Sequence, residues 1–165
     1  MSARRPTTQN EADQPRRTPD DAAHAAALVR GEPPAEPRTD EGGLAEGLRA
    51  VSFALDKKAL EPVLLDVRQL CSYCNYQLVL SGRSERQVGS IADAIVAGLR
   101  DEGTRAIGTE GKGSGQWALL DFGDLIVHVF HHPVREHYDL ESLWIDAPRV
   151  ELDLPPEARL GADDY

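Results

Sequence analysis

An α/β domain is predicted from three patterns in the 165-residue chain. Leu44, Leu48, Val51 and Leu55 recur at helical spacing, as do Val88, Ile91, Ala92, Ile95 and Leu99. Between these stripes stand two apolar runs of strand length, Val63-Leu-Leu-Asp-Val67 and Tyr76-Gln-Leu-Val-Leu80. Further on, alternating runs from Gln116 to Phe122 and from Leu125 to Phe130 flank Gly123-Asp124 and read as a β-hairpin.

The elements follow in chain order. The first helix carries Asp56-Lys57-Lys58 near its end, where cations suit the helix dipole. Pro62 bars its continuation. The Cys71–Asn75 link between the first two strands reads as a single helical turn. Ser84 is a candidate N-cap for the second helix, with Gln87 three residues later as in a capping box. Gly103 suits its C-terminal stop. Arg105-Ala-Ile-Gly108 is a short strand candidate, and Gly111-Lys-Gly-Ser-Gly115 a loop. After the hairpin, Pro133 can begin a helical turn. Tyr138, Leu140, Leu143 and Trp144 supply apolar surface near the end of the fold.

Outside these elements the composition changes. Six prolines and charges of both signs fill residues 1–42, which are expected to be a disordered extension. Residues 43–146 form the predicted domain. Residues 147–165 are expected to be a flexible acidic tail, in which Val150, Leu152 and Leu154 alternate before Pro155-Pro156 ends any strand.

A two-residue turn at Gly123-Asp124, with glycine first, fits type II′ and fixes the hairpin register. Phe122 then faces Leu125, Leu120 faces Val127 and Ala118 faces Val129, giving a wholly apolar face that must be core. The other face pairs Trp117 with Phe130, Leu119 with His128 and Asp121 with Ile126. It is mixed. Either a helix covers it, with His128 hydrogen-bonded beneath, or it is exposed as a binding surface. Trp117, beside the glycine-rich loop, is the member expected to be exposed.

Chemistry finds little support. The net charge of −10 argues against a general nucleic-acid binder, and no direct DNA contact is expected. No run reaches the roughly 18 apolar residues of a membrane span, and no apolar run follows the basic N-terminus, so a cytoplasmic protein is expected. Cys71 and Cys74 form one C-x-x-C without the Gly or Pro usual in redox motifs and without a second pair for zinc. Reduced structural thiols are expected, with a redox-responsive adaptor as the competing reading. His128, His131, His132 and His137 lie close in sequence, but His128 belongs to a strand, so H-x-x-x-H spacing lacks its helical meaning. Asp121 and Asp124 are three apart across a turn, where a metal-binding carboxylate pair would need i, i+2 spacing. Gly111-Lys112 lacks the following Ser or Thr of a phosphate loop. No metal or cofactor is therefore expected.

Several segments together resemble the iojap-type (RsfS) ribosomal silencing factors. They are Ala54-Leu-Asp-Lys-Lys-Ala59, Val63-Leu-Leu-Asp-Val67, Ser81-Gly-Arg-Ser-Glu-Arg-Gln87, Ile91-Ala-Asp93, Gly115-Gln-Trp-Ala-Leu-Leu-Asp-Phe-Gly-Asp124, Val127-His-Val-Phe130, Arg135-Glu-His-Tyr-Asp-Leu-Glu141 and Leu143-Trp144. The resemblance implies a nucleotidyltransferase-like mixed β-sheet with flanking helices and no catalytic carboxylates. It implies binding to the large ribosomal subunit through its protein fourteen, a steric block of joining with the small subunit, and lower translation when nutrients are short. It also implies that members are often homodimers when free. Carried over by motif, the partner-binding residues are Trp117, His128, Phe130, Tyr138, Asp139, Leu140, Leu143 and Trp144. An acidic protein at the ribosome is expected to dock on protein rather than bare RNA. A nucleotidyltransferase-like, metal-dependent enzyme on the same fold is the alternative.

Overall fold

The computed structural model describes residues 42–159. The expected N-terminal extension lies outside them, apart from residue 42. Helix α1 (Leu44–Asp56) leads into β1 (Leu60–Asp66) and β2 (Tyr76–Gly82). Helix α2 (Glu85–Asp101) is followed by β3 (Gly108–Glu110), β4 (Trp117–Asp121) and β5 (Leu125–His131). Two short helices, α3 (His132–Tyr138) and α4 (Leu140–Leu143), and a final 3-10 turn at Pro156–Ala158 complete the order.

The five strands form one mixed sheet in the order β1-β2-β5-β4-β3. Only the β2–β5 pair is parallel. Those two strands are covered on both faces, as parallel strands usually are; every residue of β2 is buried, and every residue of β5 but His131. Hairpin register is as the turn dictates, from Trp117 opposite Phe130 to Asp121 opposite Ile126. Gly123 takes φ 88°, and the Asp121 carboxylate accepts its N–H at 2.8 Å, so Asp121 serves the turn.

Alternation divides the interior in two. Leu64, Tyr76, Leu78, Leu80, Ala118, Leu120, Leu125, Val127 and Val129 face α1 and α2. Each large aliphatic side chain removed from water there contributes roughly 1.5–3 kcal/mol. The buried stripe of α2 is the predicted one. That of α1 is rotated from the expectation: Gly47, Ala50, Val51 and Ala54 are buried, whereas Leu48 is 43% exposed. Small residues win because the helix lies close to the sheet; a Cβ on Gly47 would stand 3.0 Å from Leu64.

Helix ends follow local chemistry. Ser84 Oγ accepts the Gln87 N–H at 3.1 Å. Gln87 does not complete a reciprocal box; its Oε1 takes the Arg83 N–H and its Nε2 donates to the carbonyls of Lys57 and Lys58, tying α2 to the end of α1. At the other end Gly103 adopts φ 98°, with Thr104 N–H on the Leu99 carbonyl and Gly103 N–H on that of Arg100, a Schellman stop. Helix α1 stops the same way, but with Lys58 at φ 61° in the position glycine prefers. Its two lysines lie just past the last turn rather than within it.

Four further expectations shift. β1 begins at Leu60 rather than Val63, because a bulge with Glu61 at φ 47° accommodates Pro62 within the strand. The tight turn after β1 sits at Val67–Cys71, where Cys71 N–H reaches the Val67 carbonyl, and not at Cys71–Asn75. The short strand before the glycine loop covers Gly108–Glu110, and Ile107 beside it is 74% exposed. Finally, the fold does not end at residue 146. Asp66 N–H binds the Pro148 carbonyl, Val150 N–H binds that of Leu64, and Val150, Leu152 and Leu154 pack on the core, so residues 147–159 cover the outer edge of β1.

Candidate functional site

The face of the sheet opposite the long helices carries Leu65, Val79, Leu119, Ile126 and Phe130. Among the described residues no long helix lies over it. Instead the irregular 67–75 segment, bearing Cys71 and Cys74, covers one part, and α3, α4 and Trp144 cover the rest. The mixed hairpin face is therefore largely enclosed. His128 and Phe130 are wholly buried, and Leu140 and Trp144 nearly so. These four expected contact residues lie in the interior and offer a partner no surface. Their burial has a simple cause: α3 folds back directly from the end of β5 and lays its aromatic side on the strand it has just left.

What reaches solvent is a smaller patch. Trp117 is half-buried at the start of β4, and its indole N–H donates to His128 Nδ1 at 3.2 Å. That bond requires an unprotonated Nδ1 on His128. The indole stacks on Phe130 with centroids 4.9 Å apart and meets Tyr138 of α3 at 4.8 Å. Tyr138 is partly exposed, and Asp139 is exposed at the α3–α4 junction, where its left-handed φ of 46° makes the corner and its carboxylate accepts the Ser142 hydroxyl. Leu143 is 54% exposed. Beside it stands Ile145, a similarly exposed aliphatic that the motifs did not single out.

Arg135 was a second omission. It is buried, donating to the Glu141 carboxylate at 2.6 Å, the Glu61 carbonyl at 2.8 Å and Ser81 Oγ at 3.0 Å. One guanidinium thus joins α3 and α4 to the bulge of β1 and the end of β2. The signal was its place in a segment otherwise rich in exposed charge, which spacing alone cannot distinguish from a solvated arginine. A polar cleft of about 250 Å³ opens beside it, lined by Glu61, Val63, His132, Arg135, Glu136, Asp139, Glu141 and Arg149. His132 is buried against this cleft, and burial together with the Arg135 charge holds its pKa below the ordinary range, opposed by Glu136.

The chemical candidates do not assemble. Among the described residues, no group of three or more His, Cys, Asp and Glu side chains is placed to hold a metal ion. Asp121 caps the hairpin turn, and Asp124 directs its backbone carbonyl to the N–H groups of Asn75 and Tyr76. The thiols of Cys71 and Cys74 are buried and not joined by a disulfide. The Gly111–Gly115 segment is a turn linking β3 to β4, and Gly111, at φ 73°, abuts the Trp117 carbonyl so closely that any Cβ would collide with it. No described helix is long and apolar enough to cross a membrane.

Comparison with known proteins agrees with this fold. The model of the family described as "Ribosomal silencing factor during starvation" matches residues 44–164. A ribosomal silencing factor of Halalkalibacterium halodurans is 39% identical over 104 residues, 63% of this chain and 89% of the relative. One from Bacillus subtilis is 38% identical over 107 residues, 64% of this chain and 91% of the relative. The chloroplastic Iojap protein of Arabidopsis thaliana is 32% identical over 123 residues, 73% of this chain and 50% of the relative. A crystal structure of a Chromobacterium violaceum protein superposes with a TM-score of 0.60 at 31% identity, covering 73% of this chain and 95% of the other. The chain belongs to the ribosomal silencing factor family.

Proposed function

We propose that this chain is a non-catalytic repressor of translation that docks on the large ribosomal subunit through its protein fourteen and sterically prevents the small subunit from joining. The family match across residues 44–164 carries the reading. The relatives bear the name of silencing factors. The contact surface we assign is the exposed remainder of the expected set: the open side of Trp117, with Tyr138, Asp139 and Leu143. His128, Phe130, Leu140 and Trp144 then act from beneath, fixing the residues that touch the partner. The net charge of −10 suits a basic protein surface, and opposite charge speeds the encounter more than it tightens the complex. Action in the cytoplasm, in response to nutrient limitation, belongs to the same proposal.

The test is direct. Purified protein is sedimented with isolated large subunits, then added before small subunits are supplied. Binding, with a dose-dependent loss of joined ribosomes, is expected; normal joining at saturating protein refutes the mechanism. Trp117→Ala should weaken binding by more than about 1 kcal/mol, near fivefold, as an anchor residue does. Unchanged affinity in a folded variant removes Trp117 from the surface.

A further inference from the structure

Cys71 and Cys74 lie on the irregular 67–75 segment, under the same cluster that supports the docking patch. Their sulfurs are 3.4 Å apart. A disulfide has sulfurs about 2.05 Å apart, so closure needs a movement of only about 1.4 Å. The segment between them is a bend, neither helix nor strand. A third group addresses the pair. Gln77, wholly buried on β2, sends its Nε2 toward Cys74 Sγ at 3.7 Å. Here it presents an N–H donor to a sulfur, an arrangement that favours negative charge on that atom.

We propose that Cys71 and Cys74 are a peroxide-responsive thiol pair, and that their disulfide weakens docking on the large subunit. The second half rests on the docking surface assigned above. Cys71 is slightly the more accessible, 3% against 0% for Cys74, and meets the oxidant first. Its sulfur attacks hydrogen peroxide: an S–O bond forms, the O–O bond breaks, and the thiol proton leaves with the departing hydroxide as water. Cys71 is now a sulfenic acid. Cys74, losing its proton beside the Gln77 N–H, attacks the Cys71 sulfur; the S–S bond forms and the S–O bond breaks, and the hydroxide takes that proton as a second water. Two thiols are oxidised and one peroxide is reduced. The bond brings the two sulfurs about 1.4 Å closer in a cluster shared with Phe130, Leu140 and Trp144. Close-packed interiors transmit such a shift instead of absorbing it. It reaches the surface through Trp117 and Tyr138, which rest on Phe130.

The full chain is treated with hydrogen peroxide, and its intact mass, thiol content and binding to isolated large subunits are measured before and after, then again with reductant. The expected result is a loss of two hydrogens within one chain, both thiols blocked, and binding weakened by about tenfold and restored by reductant. Cys74→Ala, compared with itself across the same treatment, should form no intramolecular bond. Thiols that stay titratable, or a sulfenic or sulfinic product without the bond, overturn the pair. A disulfide with unchanged binding overturns the regulatory role. Reduced protein that binds no subunit at all overturns the docking surface, while the mass measurement still decides the thiol chemistry.

Discussion

Arg135→Met tests whether one buried guanidinium holds the α3–α4 segment in place. Methionine fills most of the volume but restores none of the three hydrogen bonds to Glu141, the Glu61 carbonyl and Ser81. Breaking a buried charged pair by deleting one partner costs about 3–5 kcal/mol. The Glu141 side chain is 25% exposed and the cleft admits solvent, so its carboxylate can be rehydrated, and that penalty falls to about 1 kcal/mol. The Glu61 carbonyl and the wholly buried Ser81 hydroxyl each lose a donor, at roughly 1 kcal/mol or more apiece. A total near 3 kcal/mol follows. With a urea m-value of about 1.5 kcal/mol/M, the unfolding midpoint should fall by about 2 M. Glu141→Gln keeps both other bonds and should lose only about 1 kcal/mol. The reasoning is refuted if Arg135→Met lowers stability by less than about 1 kcal/mol, or if Glu141→Gln matches it, since the link to β1 and β2 would then carry nothing.

Other expectations follow from the same details. Gly111→Ala combines a left-handed backbone with a collision at the Trp117 carbonyl; it should cost more than about 2 kcal/mol in urea unfolding and disturb the indole environment seen in near-ultraviolet circular dichroism. Lys58→Gly relieves a left-handed φ of 61° at the end of α1 and should stabilise by about 0.5 kcal/mol, the strain relieved less the added freedom of the unfolded chain. His132 has a folded pKa below its ordinary 6.5, so the unfolded chain gains a proton first as pH falls. Its contribution is fully present above about pH 6.5 and is lost on acidification below it; unfolding midpoints at about pH 7.5 and about pH 5.5 should differ more in the parent than in His132→Gln.

Local physics made much of the fold readable. A two-residue turn leaves one register for the hairpin, so the turn alone assigns both faces. Ser84 and Gly103 mark the ends of α2 because capping acts within a few residues. Features that depend on distant parts of the chain were not readable. Nothing near β2 announces its parallel pairing with β5. The α1 stripe was misplaced because leucines dominate a periodicity count, while close approach to the sheet selects Gly47 and Ala50. The strap from 147 to 159 resembled a tail since acidity and the Pro155-Pro156 pair outweighed Val150, Leu152 and Leu154. In the candidate site, motif and alternation located Trp117 and Tyr138. They could not show that His128, Phe130, Leu140 and Trp144 lie inside, because that depends on α3 folding back onto β5 and on the covering 67–75 segment, which has no periodicity at all.

The Trp117 indole is held on three sides, by a hydrogen bond from its nitrogen, by a stacked ring beneath and by a tyrosine beside it. An aromatic side chain free to rotate would surrender about 0.5–1.5 kcal/mol of rotamer freedom on meeting a partner. This one has already surrendered it during folding. Recognition at such a residue is rigid: complex formation should show little coupled ordering, and an ill-fitting surface gains nothing from adjustment of the ring. On the docking surface proposed above, the interior residues beneath the patch would thereby act on selectivity without touching what is selected.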